Sequence, residues 1–248
     1  MLFEDDSLLA LSKPARLLAS AEATQPSHLP NLLKLLHEGI SNGKGWARQR
    51  GLSYLMNVNR LDFEVSGILL FAKSKSVFIK LADIFGSETC HRNYIAICRG
   101  EPKADQFTID AKLVISSVGV PPVRVDPRQG KNARTLVKVI ERFNGWALIN
   151  CEPSHDRLDQ VQAHLRYVNL PVAGASVYGG QPFFLSAIKP NYRLKPTRTE
   201  RPLLDRTALH AEQLVFPHPG TNEVLTLTAP WPKDLVVAVK YLRKFGKT

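Results

Sequence analysis

Cysteine is scarce in this chain: Cys90, Cys98 and Cys151 stand alone, with no CxxC pair and no histidine at ligand spacing. That argues against a disulfide framework and a cysteine-built zinc site, and it fits a reducing compartment. Long apolar runs are missing too. None approaches the roughly 20 residues a membrane-spanning helix needs. The opening MLFEDDSLLALSKPARLLAS carries acids where a secretory signal has a basic segment. There is no internal repeat and no low-complexity tract. Acidic residues are also in short supply, 22 against 33 Lys plus Arg, for a net charge of +11. An excess of that size favours a polyanionic partner, because each lysine or arginine that meets a phosphate releases counterions. With 44% hydrophobic residues the 248-residue chain can bury a core as one large domain or two lobes. The expectation is a soluble intracellular protein, and the charge alone leaves a nucleic-acid partner and a merely basic surface equally open.

The pattern along the chain predicts more strands than helices. LFEDDSLLALSKP reads as two strands around an acidic turn, stopped at Pro14. Residues 32–40 read as a short helix, and SNGKGWARQRG as loose chain. LSYLMNVNRLD and SGILLFAKS have strand character. Ser74 or Ser76 can cap a following helix with Phe78, Leu81, Ala82 and Phe85 on its packed face. NYIAICRG, TLVKVIERF, WALINCEP, ALHAEQLVF and EVLTLTAP are further strands, and a helix ends the chain. Another helix is predicted from about Arg157 to Tyr167, burying Leu158, Val161, Leu165 and Val168. His155, Asp159, Gln162 and Arg166 would then share a polar face. Two irregular stretches, 116–132 and 186–206, are basic, the first through Arg124, Arg128 and Lys131 with Arg134 just beyond. The class is α+β around a largely antiparallel sheet.

Asp62, in NRLDFEVSG, follows an apolar run, and Gly67 permits a tight return. A carboxylate there suits a nucleophile or a general base. By spacing alone it equally suits a turn-former that caps its own backbone. Asp62 with Glu64 as a general acid and base is weaker, since nothing else in the sequence looks like a sugar or metal site.

NRLDFEVSGILLFAKS resembles the HRLDxxTSGxxxxAK signature of the RluA-type RNA pseudouridine synthases. Other stretches resemble that family in its own order. FEDDSLLALSKPARL is similar to an opening strand pair ending in KPxG, RNYIAICRG to KxYxAxxxG, and GKNARTLVKVIERF to GKxAxT. DRLDQVQAHLRYVNLPVAGASVYGG is similar, without a gap, to GRTHQIRVHLAxLGxPIxGDxxYG. ALHAEQLVFPHPGTNEVLTLTAPWPKDL is similar to a closing LHAxxLxFxHP strand and a final PxD. The resemblance implies the pseudouridine synthase fold, a long bent sheet with flanking helices and a basic central cleft. It implies one catalytic domain over residues 1–248, two lobes around one cleft, without the small RNA-binding domain that precedes it in many relatives. It further implies detachment, rotation and rejoining of a uracil in ribosomal or transfer RNA, in a stem-loop or similar short structured target. Asp62 becomes the nucleophile, Tyr94 the tyrosine near the base and Arg60 the arginine that helps flip the uridine. Gln162 stands where the family has a catalytic-helix arginine. Arg157, Arg166, Lys131 and Arg134 become RNA contacts. No metal, cofactor, membrane or oligomer is implied, so the expectation is a monomer.

The chain departs from the family at several of these places. Asn59 replaces histidine, Val65 threonine, Asp156 glycine, Asp159 histidine, Gln162 arginine, and Ala175 the acid after Gly174. A cation close to a carboxylate lowers its pKa by about 1–3 units and can grip it through two hydrogen bonds. Gln162 brings no charge. Arg166, one turn beyond, has the reach to stand in for the arginine; its plainer role is a phosphate contact. Two readings therefore stay open: an active isomerase with an altered site, and a catalytically weak relative that binds RNA as a chaperone. A general DNA-binding protein ranks below both, because no helix-turn-helix or finger pattern supports it.

Overall fold

The computed structural model describes residues 1–21, 29, 31–87, 89–116, 121–194 and 197–246. The strands in chain order are β1 (Phe3–Glu4), β2 (Leu8–Lys13), β3 (Met56–Asn57), β4 (Ser66–Ala72), β5 (His91–Arg99) and β6 (Gln106–Asp110). They continue with β7 (Leu113–Ile115), β8 (Val123–Val125), β9 (Arg134–Phe143), β10 (Trp146–Pro153), β11 (Leu209–Pro217) and β12 (Val224–Thr228). The helices are α1 (Leu32–Ser41), α2 (Gly45–Gln49), α3 (Lys75–Gly86), α4 (Gln160–Tyr167) and α5 (Lys233–Phe245). The chain divides into two compact units, Met1–Arg92 with Ala211–Pro230, and Asn93–His210 with Trp231–Thr248. Both mix sheet and helix, and the class is α+β as the sequence predicts.

In the first unit, β4 lies between β2 and β11, with β3 also paired to it and β12 on β11. All seven residues of β4, SGILLFA, are buried, so both of its faces are covered. Because side chains alternate across a strand, its core splits in two. Ile68, Leu70 and Ala72 join Leu8, Ala10, Leu214 and Phe216 on one face, against Leu81 and Phe78 of α3. Leu69 and Phe71 join Leu9 on the other, against Leu33, Leu36 and Trp46 from α1 and α2. Phe71, fully buried, carries about 3–5 kcal/mol by the usual cost of truncating a core aromatic.

Three expectations change here. SNGKGWARQRG is not all loose, because Trp46 and Ala47 have a core to pack on and nucleate α2. LSYLMNVNRLD shrinks to β3: after Val58 N has donated to Leu70 O at 2.8 Å, the Asn59 side chain takes over the pairing. On α3, capped by Ser74 as expected, Ala82 is exposed, and Val77 and Ile84 join Phe78 and Phe85 on the packed face instead.

In the second unit the sheet order is β5–β10–β9–β6, each pair antiparallel, beside a β7–β8 hairpin. The basic stretch 116–132 thus contributes β8, and its residues 117–120 lie outside the described ones, as do 195–196 of the stretch 186–206. Helix α4 starts at Gln160 rather than near Arg157, since Asp159 has φ 49 and breaks the helical run. Six of its eight residues, Gln160 through Leu165, are buried, so of the expected polar face Gln162 turns inward, His155 and Asp159 are half-buried, and Arg166 is exposed. Helix α5 buries Leu235, Ala238, Val239 and Leu242. Its start is held by Asp234, which takes hydrogen bonds from Nε (2.7 Å) and Nη2 (3.1 Å) of the buried Arg206. Burial alone would raise the Asp234 pKa, but the Arg206 hydrogen bonds and charge outweigh it and hold the carboxyl below the ordinary range.

Candidate active site

In the first unit, Asp62 sits on the turn that leads into β4. The Asp62 carbonyl accepts from Val65 N at 3.1 Å, closing the turn through the main chain. The ammonium of Lys13 donates to the same carbonyl at 3.3 Å, and to those of Leu17 at 2.7 Å and Pro14 at 3.1 Å. Lys13 is 1% exposed, a buried cation whose donors meet main-chain acceptors. It ties the end of β2 to the Asp62 turn. Sequence reasoning gave it no role, although alternation from Leu9 through Leu11 already puts residue 13 on the inward side of β2. Phe63 O also accepts from Arg16 N at 2.7 Å, and Arg16 Nε reaches Glu64 at 3.4 Å, so Glu64 is an ion-pair partner on the rim.

Before the turn, Asn59 docks on β4. Its Nδ2 donates to Ile68 O at 2.9 Å, and its Oδ1 accepts from Leu70 N at 2.8 Å. The amide behaves as one more peptide unit beside the strand, and Asn57 Nδ2 supports it by donating to Asn59 O at 3.1 Å. Arg60, between this clasp and Asp62, is exposed. Gly67 serves differently from the expected tight return. Its φ is 130, and a Cβ there would run into the main chain of Ala211, so it permits the close approach of β11.

In the second unit, Tyr94 is a buried residue of β5 opposite Cys151 of β10. Gln162, 5% exposed, donates through Nε2 to Asp159 Oδ1 at 3.1 Å. The other oxygen of Asp159 accepts from the hydroxyl of the buried Tyr178 at 2.8 Å. Asp159 occupies the N-cap of α4, yet its side chain makes no capping bond. The two residues that stand where the resemblance places a histidine and an arginine are thus hydrogen-bonded to each other. Tyr178 was missed by sequence reasoning. It stands on a short turn, Ser176–Tyr178, after Gly174, whose φ is 76 and where a Cβ would strike Arg206 O.

Behind this pair a second polar group fills the α4 interior. Nε2 of the fully buried His164 faces the Ala111 carbonyl at 2.9 Å, which can only accept, so this nitrogen carries the proton. Nδ1 then accepts from Thr135 Oγ1 at 2.8 Å, and Thr135 in turn accepts from Gln160 Nε2 at 3.2 Å. Burial depresses the His164 pKa, with His155 adding to the effect; the Ala111 hydrogen bond and the Asp110 charge only partly oppose it.

The predicted basic residues divide. Arg157 Nε donates to Asn132 O at 2.7 Å, which brings Arg157 onto the segment holding Lys131 and Arg134, both exposed. Arg166 is exposed and stands apart from them, with its Nη1 beside Gly179. Among the described residues no group of three His, Cys, Asp or Glu could hold a metal ion, and no helix is long and apolar enough to cross a membrane.

A family model described as RNA pseudouridylate synthase matches residues 7–167, a span that includes Asp62, Tyr94 and all of α4. The ribosomal large subunit pseudouridine synthase C of Escherichia coli (strain K12) is 31% identical over 245 residues, covering 98% of this chain and 70% of its own. The uncharacterized RNA pseudouridine synthase YlyB of Bacillus subtilis (strain 168) is 30% identical over 247 residues, covering 98% and 73%. Among solved structures, human RNA Pseudouridylate Synthase Domain Containing 4 superposes with a TM-score of 0.73 at 20% identity, over 98% of this chain and 92% of that one. Human RNA Pseudouridylate Synthase Domain Containing 1 gives 0.67 at 18%, over 100% and 95%. At these identities the two structures establish the fold.

Proposed function

Because the chain belongs to the RNA pseudouridylate synthase family, in its RluA-type branch, we propose that it isomerises one uridine of a structured RNA with Asp62 as the nucleophile. The chain is an RNA pseudouridine synthase, an isomerase. In the reaction the N1–C1′ bond breaks, the uracil turns, and a C5–C1′ bond forms. C5 gives up its proton and N1 gains one, so atoms balance without an oxidant. Asp62 either attacks C1′ or removes a sugar proton to leave a glycal. Tyr94 stacks near the base and helps move a proton. Arg60 takes part in flipping the uridine. Gln162 takes the arginine's place as a neutral hydrogen-bond donor, and Lys131, Arg134, Arg157 and Arg166 meet phosphates. The observation that carries this reading is the Asp62 turn: a buried lysine and a fully buried strand hold the main chain of a half-buried carboxylate. Rigid support of this kind is what a nucleophile needs.

The substrate is a stem-loop of ribosomal or transfer RNA. Relatives named ribosomal large subunit pseudouridine synthase support the ribosomal choice. The protein works in the cytoplasm as a monomer. One observation favours a second reading, a weakly catalytic RNA chaperone: the Asp159–Gln162 pair puts a carboxylate beside the position of the family's arginine.

The test uses cellular RNA made without pseudouridine, incubated with the wild type and with Asp62→Ala. New pseudouridines are mapped by chemical labelling and reverse-transcription stops. Sites formed by the wild type and lost in the variant establish the isomerase and its target. Absence of sites, with tight and salt-sensitive RNA binding by both proteins, selects the chaperone.

A further inference from the structure

Helix α5 carries a feature that the reaction does not use. Lys233, Val237, Lys240, Tyr241 and Lys244 recur at helical spacing on its outer side, and all but the half-buried Tyr241 are exposed. Tyr241 stacks on Phe245, with ring centroids 5.9 Å apart and planes 10° from parallel. Lys244 Nζ lies 5.1 Å from the Phe245 centroid. From the basic stretch 186–206 comes Lys189, whose Nζ is 5.5 Å from Phe245 and 5.9 Å from Tyr192. Tyr192 and Phe245 are half-buried like Tyr241, and exposed Arg193 follows directly. The nearby acids are engaged: Glu141 with Arg243 at 2.5 Å, Asp234 with Arg206 at 2.7 Å.

We propose that this stripe, Tyr192, Tyr241 and Phe245 interleaved with Lys189, Lys240 and Lys244, is an accessory binding surface for unpaired RNA nucleotides flanking the target. The inference rests on the reading that RNA is the substrate. Partly exposed rings beside mobile ammonium groups are the combination that holds single strands: the rings stack bases of any identity and the lysines meet the phosphates. Lys240 and Lys244 are separated by about 6 Å along the helix axis, a spacing that lets them follow neighbouring phosphates of an extended strand. A duplex hides its base faces and would use the charge alone. A membrane would need the apolar side of the helix, and here Leu235, Ala238, Val239 and Leu242 are buried in the protein.

The experiment measures binding of a 12-nucleotide oligouridylate, an RNA duplex of matched charge, and vesicles containing phosphatidylserine. The proteins are the wild type, Tyr241→Ala, Tyr241→Phe and the pair Lys240→Glu with Lys244→Glu, each checked for an unchanged melting temperature. Tyr241→Ala is expected to weaken single-strand binding about five- to tenfold and duplex binding less than twofold, with Tyr241→Phe restoring it. The charge reversals should weaken single-strand binding at least tenfold and lower the slope of log affinity against log salt by roughly one or more. Photo-crosslinks from 4-thiouridine oligomers should fall on peptides holding Tyr192 or Tyr241. Unchanged single-strand affinity in all variants, equal losses for duplex and single strand in Tyr241→Ala, or a preference for vesicles would each overturn the proposal. Because binding is read without turnover, failure here is separable from failure of the isomerase reading, which shows as missing pseudouridines while this binding persists.

Discussion

Asn59 and Asp159 both stand where the family resemblance places a histidine, and the two units hold them by different physics. In the first, the Asn59 amide joins the hydrogen bonding of β4 and becomes part of the sheet, with no change in charge. In the second, the Asp159 carboxylate accepts from both Gln162 and the buried Tyr178, two neutral donors. One arrangement is architectural. The other sets a carboxylate and an amide at the start of α4, where the family resemblance places a histidine and an arginine.

The comparison can be pushed hardest through the buried charges of each unit. In the second unit, Arg206→Ala leaves the carbonyls of Thr207 and Leu209 short of a donor and the partly exposed Asp234 without its cation, and should cost about 3 kcal/mol in urea unfolding. Lys13→Met in the first unit leaves three carbonyls short of a donor and should cost about 3 kcal/mol. It should also lower turnover more than substrate affinity, because it loosens the Asp62 main chain; equal effects on both would remove Lys13 from the site. Asn59→Leu leaves Ile68 O and Leu70 N unpaired, an expected loss of about 2 kcal/mol by the same measurement.

A pH titration separates the units further. The folded pKa of His164 lies below its unfolded value, so the unfolded chain binds the proton first. The stability tied to neutral His164 is therefore fully present above about pH 6.5 and is lost as pH falls through the folded pKa, by up to about 1.4 kcal/mol per pH unit. His164→Gln should flatten unfolding free energy against pH below about 6.5. An unchanged slope would place the acid sensitivity elsewhere. The smallest effect is expected from Asp159→Asn: less than about 1 kcal/mol, since an amide still accepts from Tyr178 and Gln162 can turn its own amide to match. A large loss would mean that the carboxylate charge itself holds the start of α4.

Much of the fold was legible because period-two burial and short turns dominate the chain. β2, β9, β10, β11 and β12 fall where strand patterning and turn residues put them, and β4 where an unbroken apolar run does. The misses have local causes. The strand expected through Asn59 stops because a side chain replaces the peptide group, which no periodicity can reveal. The helix expected from Arg157 starts later because Asp159 takes a left-handed conformation, and aspartate both tolerates that conformation and occurs inside helices. Asp62 stood out only through its resemblance to a family motif, since by spacing it was an ordinary turn aspartate. Lys13 was readable from strand parity. Tyr178 was not, because it meets Asp159 only once the Gly174 turn has formed.

The passage of β11 alongside β4, for which Gly67 keeps its side open, also sets an order of assembly. The first unit leaves off at Arg92 and resumes at Ala211, so a nascent chain holding only its first part exposes the flank of a strand that is buried along its whole length in the finished fold. Until the ribosome has added β11, that flank is a template for the wrong neighbour. Chains truncated before Ala211 should accumulate as aggregates, and a chaperone that shields β4 during synthesis should raise the yield of the full-length protein.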